Sequence, residues 1–361
     1  MPAFAPNALL KQLKIKLPIF QGPMNNAATP ALAAAVSNAG GLGSLALSLW
    51  SPETIARQVA LLRQQTDRPF NLNLFVLAPA QVTVTELQNA NNILAPIRQE
   101  LGLSQAPALS QYAENFTEQL EALIQARPAV ASFTFGILSE AEIERVHAAG
   151  SLVLGTATNV AEALAWQARG ADMICAQGAE AGGHRGTFIG SFEASMVGTM
   201  ALVPQIVDAV RLPVIAAGGV MDGRGIAASL MLGAQAAQLG TAFLVCRESA
   251  IHPGWKNIVR GAADTATRTT RVFSGRPARG VVNAMMQRLA AYEAEVPDYP
   301  VQNALTTAIR QAATSADKME YLSLWAGQAA GLSAKRASDI SAAELVRQLD
   351  YELQRVRQTA G

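Results

Sequence analysis

Cysteine is nearly missing from this sequence. Cys175 and Cys246 are the only two, too few for a disulfide framework and not spaced as a zinc site, which leaves them as small packed hydrophobes in a protein of a reducing compartment. An excess of charge of either sign is missing too: 28 Lys and Arg face 27 Asp and Glu, spread along the chain, with no basic cluster to neutralise a run of phosphates. That argues against a nucleic-acid partner. Uninterrupted apolar runs are also lacking. No charge occurs in 17–52, yet Pro23, Asn25, Asn26, Pro30, Asn38 and the turn Gly40-Gly41-Leu42-Gly43 break the stretch. A membrane span needs about 20 predominantly apolar residues without such breaks, so the stretch reads as strand, helix and strand. Lys11, Lys14 and Lys16 precede Pro18 without the apolar segment and cleavage site of a secretory signal, and the expected location is cytoplasmic.

What the chain does have is a large apolar fraction. Half of its 361 residues are hydrophobic and 15% are charged, as suits a parallel sheet covered by helices on both faces. The length exceeds the usual single domain of roughly 100–200 residues, while α/β barrels run to about 250. Short β-rich runs alternate with helical stretches, and the strand candidates are 18–21, 43–47, 70–75, 130–135, 152–155, 173–177, 213–217 and 237–240. Eight such runs predict a closed (β/α)8 TIM barrel, which leaves no sheet edge to protect. Capping signals at Thr29-Pro30, Ser51-Pro52-Glu53-Thr54 and Ser139-Glu140-Ala141-Glu142 start helices between them.

The barrel is expected over 1–263, with the closing helix at 255–263 and an insertion at 78–115 that is either a lid or a decoration. Helices at 281–292, 301–314 and 341–357 then predict a smaller, mainly helical C-terminal subdomain, 264–361, covering the active site.

Barrel chemistry lies at the C-terminal strand ends. The first strand ends in Gln21-Gly22-Pro23-Met24, either a backbone approach to a flat ligand or an ordinary turn. Strands seven and eight run into Ala216-Ala217-Gly218-Gly219 and Gln238-Leu239-Gly240-Thr241, the common phosphate site of barrels, where small residues expose backbone N–H groups. Arg224 lies close behind, but Asp222 and Gly223 beside it are equally a helix cap. Asn73 and Asn71 sit within an apolar strand and need polar partners, from a ligand edge or from main chain. Gln177 poses the same choice.

The most informative segment is GAEAGGHRG, 178–186. Its four glycines let backbone lie against a planar ring, and His184 there is a candidate for proton exchange or anion stabilisation. His147, in a charged helical stretch, and His252, before Pro253, read as structural. No His, Asp and Glu arrangement has metal-site spacing, so no metal is expected.

These loops resemble the nitronate monooxygenase family, in its class with the EAGGHRG motif. The likeness runs from QGPM (21–24) through NLNLFV (71–76), GAEAGGHRG, AAGG (216–219), QLGT (238–241) and FSGRPARG (273–280) to LWAGQ (324–328). It implies non-covalent FMN held by Pro23, Met24, Asn73, Gln177, Gly182, Gly218, Gly219, Gln238, Leu239, Gly240 and Thr241. It implies His184 as catalytic base or anion-stabilising group. It implies oxidation of alkyl nitronates, propionate 3-nitronate foremost, with O2 to a carbonyl product and nitrite, as detoxification. A carboxylate on that substrate would want a cation or hydroxyls, for which Tyr299, Lys318 and Tyr321 are candidates. Two rivals stand beside this reading: an FMN-dependent NAD(P)H reductase of enoyl thioesters or quinones, and a non-catalytic flavin or phosphate binder that would not need His184. The complete EAGGHRG and LWAGQ motifs favour the monooxygenase.

Overall fold

The computed structural model describes residues 7–103 and 105–359. Residues 1–6 of the expected barrel, Ser104 of the expected insertion and residues 360–361 lie outside the described residues. The strands are β1 Ile19–Gln21, β2 Gly43–Ala46, β3 Phe70–Phe75, β4 Val130–Thr134, β5 Leu152–Ala157, β6 Met173–Gln177, β7 Gly183–His184, β8 Val214–Ala217, β9 Ala236–Leu239, β10 Thr267–Thr270 and β11 Ala278–Val281. Eight of them form one parallel sheet in the order β1-β9-β8-β6-β5-β4-β3-β2. The Phe20–Leu42 bridge and the bond from Gln21 N–H to Leu42 C=O, 2.9 Å, join the outer two. The result is the TIM barrel expected from the alternation.

Strand parity sorts the residues. Phe20, Leu154, Met173, Cys175, Ile215 and Ala236 turn inward and pack with Leu9 and Leu13 of the short helix Ala8–Leu13. Their neighbours Leu72, Leu74, Phe133, Val153, Ile174 and Val214 turn outward beneath the helices, as a side-chain period of two requires. The caps behave as expected: Thr29 accepts the Leu32 N–H at 3.0 Å, and Ser139 with Glu142 forms a capping box.

Three parts differ from expectation. The helix that closes the barrel is Ala342–Thr359, whose Leu345, Val346, Leu349 and Leu353 pack among Leu32, Val36, Ile226 and Leu239. Its leucine spacing makes one apolar face. The helix near the expected closing position, Pro253–Gly261, packs instead through Val259 with the cover over the barrel mouth. Residues after 264 therefore supply both cover and barrel wall. Within the insertion, Val84–Glu100 is a 17-residue helix opened by a Thr83–Glu86 capping box. Its Ala90, Leu94 and Ile97 pack in one cluster with Leu305 and Ile309 of the helix Val301–Ser315. Finally, the start of the helix expected at 281–292 is strand: β11 ends at Val281, and the helical part is Ala284–Arg288 followed by a 3-10 turn, Ala290–Tyr292. Among the described residues, no helix is long and apolar enough to cross a membrane.

Candidate active site

A cavity opens at the C-terminal ends of the barrel strands, beneath the cover. Of the residues singled out in the sequence, Pro23, Met24, Asn73, Gln177, Gly182, Gly218, Gly219, Gln238, Gly240, Thr241, His184 and Tyr299 line it. Leu239 does not. Its neighbours Gln238 and Gly240 face inward, so parity sends Leu239 outward into the helix layer, wholly buried. What it offers the site is a backbone carbonyl, which fixes the Gly22 N–H at 2.8 Å.

The sequence left a choice between two asparagines, and depth separates them. Asn71 lies within the barrel, donating to Ser44 Oγ at 3.1 Å and away from the cavity. Asn73 donates from Nδ2 to Ser132 O and Oγ at 3.1 and 3.0 Å, while its Oδ1 has no protein partner on the cavity wall. Gln177 is committed at both ends of its amide: Nε2 donates to His184 O at 3.0 Å and Oε1 accepts the Gly186 N–H at 2.8 Å. It shapes the histidine loop while lining the cavity.

The glycines divide into two uses. Gly218 and Gly219 have φ of +114° and +72°, the left-handed region that glycine enters without strain. Next to them, the N–H groups of Gly219, Gly240 and Thr241 have no acceptor among the described residues. Such amides at two adjacent strand ends suit a phosphate. Gly182 has another reason: a Cβ there would meet Ala326 C and Gly327 N at 2.5 Å. Its bareness lets the LWAGQ segment cross the loop, where Gln328 N–H donates to Glu180 O at 3.0 Å.

A second sheet, absent from the sequence reading, carries His184. In the order β10-β11-β7, β11 pairs Ala278 with His184 and Arg279 with Gly183. Loop 178–186 is thus held on both sides. Arg185 is buried and donates to the carbonyls of Gln177, Ser195 and Thr158. Glu180 accepts the Thr199 N–H and Oγ–H, capping the helix Thr199–Ala209.

Five segments distant in sequence meet at His184. Its Nε2 lies 2.8 Å from Ser274 Oγ. With the one hydrogen of the Ser274 hydroxyl on Arg276 O, at 3.1 Å, Oγ would accept from His184, and the imidazole would carry its proton on Nε2 and keep a lone pair on Nδ1. Around the ring stand Phe135, Trp325, Tyr299 and Phe75 with centroids at 5.4, 5.5, 5.7 and 6.1 Å. Burial, then the positive charges of Arg276 and Arg310, push the imidazole pKa down to about 3. At that value the imidazole is neutral across the physiological range. Phe135 holds its place at φ +81° and carries the Arg276 guanidinium 4.0 Å from its ring centroid; a bulky residue in that region stores strain of about 1–3 kcal/mol.

Two expected substrate residues lie elsewhere. Tyr321 is buried outside the cavity, where its hydroxyl bonds Glu100 and accepts from Arg288 Nη1 at 2.7 Å, tying the insertion helix to the cover. Lys318, half-buried, precedes the 3-10 turn Met319–Tyr321 and does not reach the cavity. The charge that does reach it is Arg310, which sequence reading missed. A signal was present: Arg310 is the only charged residue in the helix Val301–Ser315, and Asn303, Thr307 and Arg310 follow helical spacing.

His147 bonds Asp172 at 2.8 Å, and His252 caps the helix Pro253–Gly261 through Nδ1, 3.1 Å from Gly254 N. Both serve the structure, as expected. Both cysteines are free and buried, and burial drives each thiol up to about 12. Cys175 also lines the cavity, with Gln238 Nε2 at 3.5 Å from its Sγ. Among the described residues, no cluster suits a metal ion. With amide donors at one end, a polar pair in Asn73 and Gln238, and an apolar wall at Met24, the lining fits a planar cofactor with a phosphate tail such as FMN.

Comparison with known proteins agrees with this architecture. A family model described as "Nitronate monooxygenase" matches residues 7–352. A protein named "Probable nitronate monooxygenase" from Staphylococcus aureus (strain Newman) is 39% identical over 349 residues, covering 96% of this chain and 98% of that protein. Among solved structures, nitroalkane oxidase from Streptomyces ansochromogenes has a TM-score of 0.89 at 36% identity, with 98% of this chain and 100% of that one covered. FabK from Thermotoga maritima follows at a TM-score of 0.76 and 28% identity, covering 99% of both chains.

Proposed function

The chain belongs to the nitronate monooxygenase family of oxidoreductases, and from that premise we propose that it binds FMN and oxidises alkyl nitronates with O2 to a carbonyl product and nitrite. The observation that carries the reading is the His184 imidazole, hydrogen-bonded through Nε2 to Ser274 Oγ at 2.8 Å, on the wall of a cavity whose glycine-rich end suits a phosphate.

FMN would be held by the amides of Gly219, Gly240 and Thr241, by Asn73 Oδ1 and Gln238, and against Pro23 and Met24. When bound, it supplies the electron transfer and the reaction with O2 that no side chain here can perform. The protein supplies the rest. His184 Nδ1 takes the α-proton of a neutral nitroalkane: its lone pair is free at neutral pH, and the negative charge that develops on the nitro group beside it stabilises the imidazolium that forms. Ser274 fixes the tautomer, and the rings of Phe75, Phe135, Tyr299 and Trp325 keep water from the reacting carbon. A substrate that arrives already as the nitronate needs no base. Propionate 3-nitronate is the favoured substrate, and its removal as a toxic metabolite the purpose.

The test is the purified yellow protein given propionate 3-nitronate in air without NAD(P)H. Oxygen uptake with matching nitrite release is expected. Anaerobic bleaching of the flavin by NADH with no nitronate turnover would make the protein a reductase instead.

A further inference from the structure

The cavity contains one feature that neither the flavin nor His184 uses: a guanidinium without a counter-charge. Arg310 projects from the cover helix Val301–Ser315 and lines the cavity. Its Nη2 donates to Asn303 O and Oδ1, both 2.9 Å, and to Thr307 Oγ1 at 3.1 Å, all neutral acceptors one or two turns back along the same helix. Its Nε is buried without a partner. Its Nη1 makes no hydrogen bond with the protein either, and unlike Nε it is not sealed off, so it is the edge that meets the cavity. Among the described residues no carboxylate pairs with it. The nearby acid Asp298 is engaged by Arg271 on the outer surface, and Glu293 by Thr270.

A buried positive charge is costly unless it is paired, and the one free edge, Nη1, can give a carboxylate a charge-assisted hydrogen bond. The neutral acceptors hold Nη2 and thereby aim the remaining edge. Arg310, His184 and Tyr299 line the same cavity, and the charge of Arg310 contributes to the lowered pKa of the imidazole. Burial depresses its pKa only to about 10, so it stays charged at neutral pH. We propose that Arg310, with Tyr299 on the same cavity wall, is the binding subsite for a carboxylate at the far end of the substrate, selecting short nitronates that carry two negative groups. This rests on the nitronate reading above and deepens it. It also replaces Lys318 and Tyr321, which lie outside the cavity, as the partner such a carboxylate requires.

Succinate tests the subsite without turnover, because it has the length and two charges of propionate 3-nitronate and cannot react; butyrate has the length and one charge. Titration of the flavin-loaded protein, followed by flavin absorbance and tryptophan fluorescence, should give wild type a dissociation constant for succinate about 30-fold below that for butyrate. Arg310→Gln should erase the difference and Arg310→Lys should keep part of it. In steady-state assays Arg310→Gln should lower kcat/KM for propionate 3-nitronate by a similar factor and leave propyl 1-nitronate within about threefold. A wild type that does not distinguish succinate from butyrate overturns the proposal, and so does an Arg310→Gln variant that keeps the wild-type dissociation constant for succinate. If Arg310→Gln fails to accumulate, the wild-type discrimination and Arg310→Lys still decide. Discrimination without any nitronate turnover would refute the reading of function and leave the carboxylate site standing. Turnover with discrimination untouched by Arg310→Gln would do the reverse.

Discussion

Substituting His184 should change how stability depends on pH, by an amount that follows from its surroundings. The ring is enclosed by Phe75, Phe135, Tyr299 and Trp325. Burial first, then Arg276 and Arg310, lower its pKa from an ordinary 6.5 to about 3. Because the folded value is the lower one, the unfolded chain takes up this proton first as pH falls. The stability concerned is fully present above pH 6.5, is lost as pH drops towards 3, and is constant again below that. At pH 5 the loss is about 2 kcal/mol, and across the whole window about 5 kcal/mol. Denaturant midpoints of flavin-loaded, substrate-free wild type and His184→Asn at pH 7, 6 and 5 measure it. Carboxylates held low by their hydrogen bonds, such as Glu86 and Glu344, titrate alike in both proteins and cancel in the difference. Wild type should lose about 2 kcal/mol more than the variant between pH 7 and 5. Parallel profiles would mean that the imidazole is not held neutral by its burial and that the pocket around it is more open to water than the ring contacts imply.

Other outcomes follow from single contacts. Ser274→Ala strands the Nε2–H in an apolar site at a cost of about 1–3 kcal/mol, so turnover of a neutral nitroalkane should fall about tenfold or more with flavin content unchanged and should return in Ser274→Thr; an unaffected rate refutes the tautomer. Gly182→Ala places a methyl 2.5 Å from Ala326 and Gly327, and thermal unfolding should report a loss of about 1–3 kcal/mol. Tyr321→Phe should destabilise by about 1–2 kcal/mol through its bonds to Glu100 and Arg288 while kcat/KM stays unchanged, since the side chain lies outside the cavity; a specific loss of nitronate turnover would restore it to the site.

The barrel strands were legible to within one or two residues, because a buried parallel strand is a short β-rich apolar run and Gly or Pro marks its ends. The strand-end loops were legible because Gly218-Gly219 and Gly240-Thr241 stand together at the seventh and eighth strand ends. Leu239 shows where a motif misleads. QLGT reads as one block, but strand parity turns every second side chain away from the ligand. The closing helix went astray because a helix in a barrel wall and one in the cover have the same periodicity; only packing reveals that Leu345 and Leu349 face Leu32 and Ile226, while Val259 faces the cover. Val84–Glu100 hid behind Asn, Gln and Pro96, which weaken its pattern, although its Thr83–Glu86 box was a readable start. Arg310 was the costliest omission. A polar strip on an otherwise apolar helix announces a burial site, but what it faces is set by the rotation of the cover on the barrel, which no local pattern encodes.

The most direct measurement compares a neutral nitroalkane with its preformed nitronate, at one pH, in wild type and His184→Asn. A neutral imidazole whose free lone pair is the base predicts that the variant loses about 100-fold or more in kcat/KM with the nitroalkane and stays within about tenfold with the nitronate. Equal losses on both substrates, or turnover of neither by wild type, would contradict it.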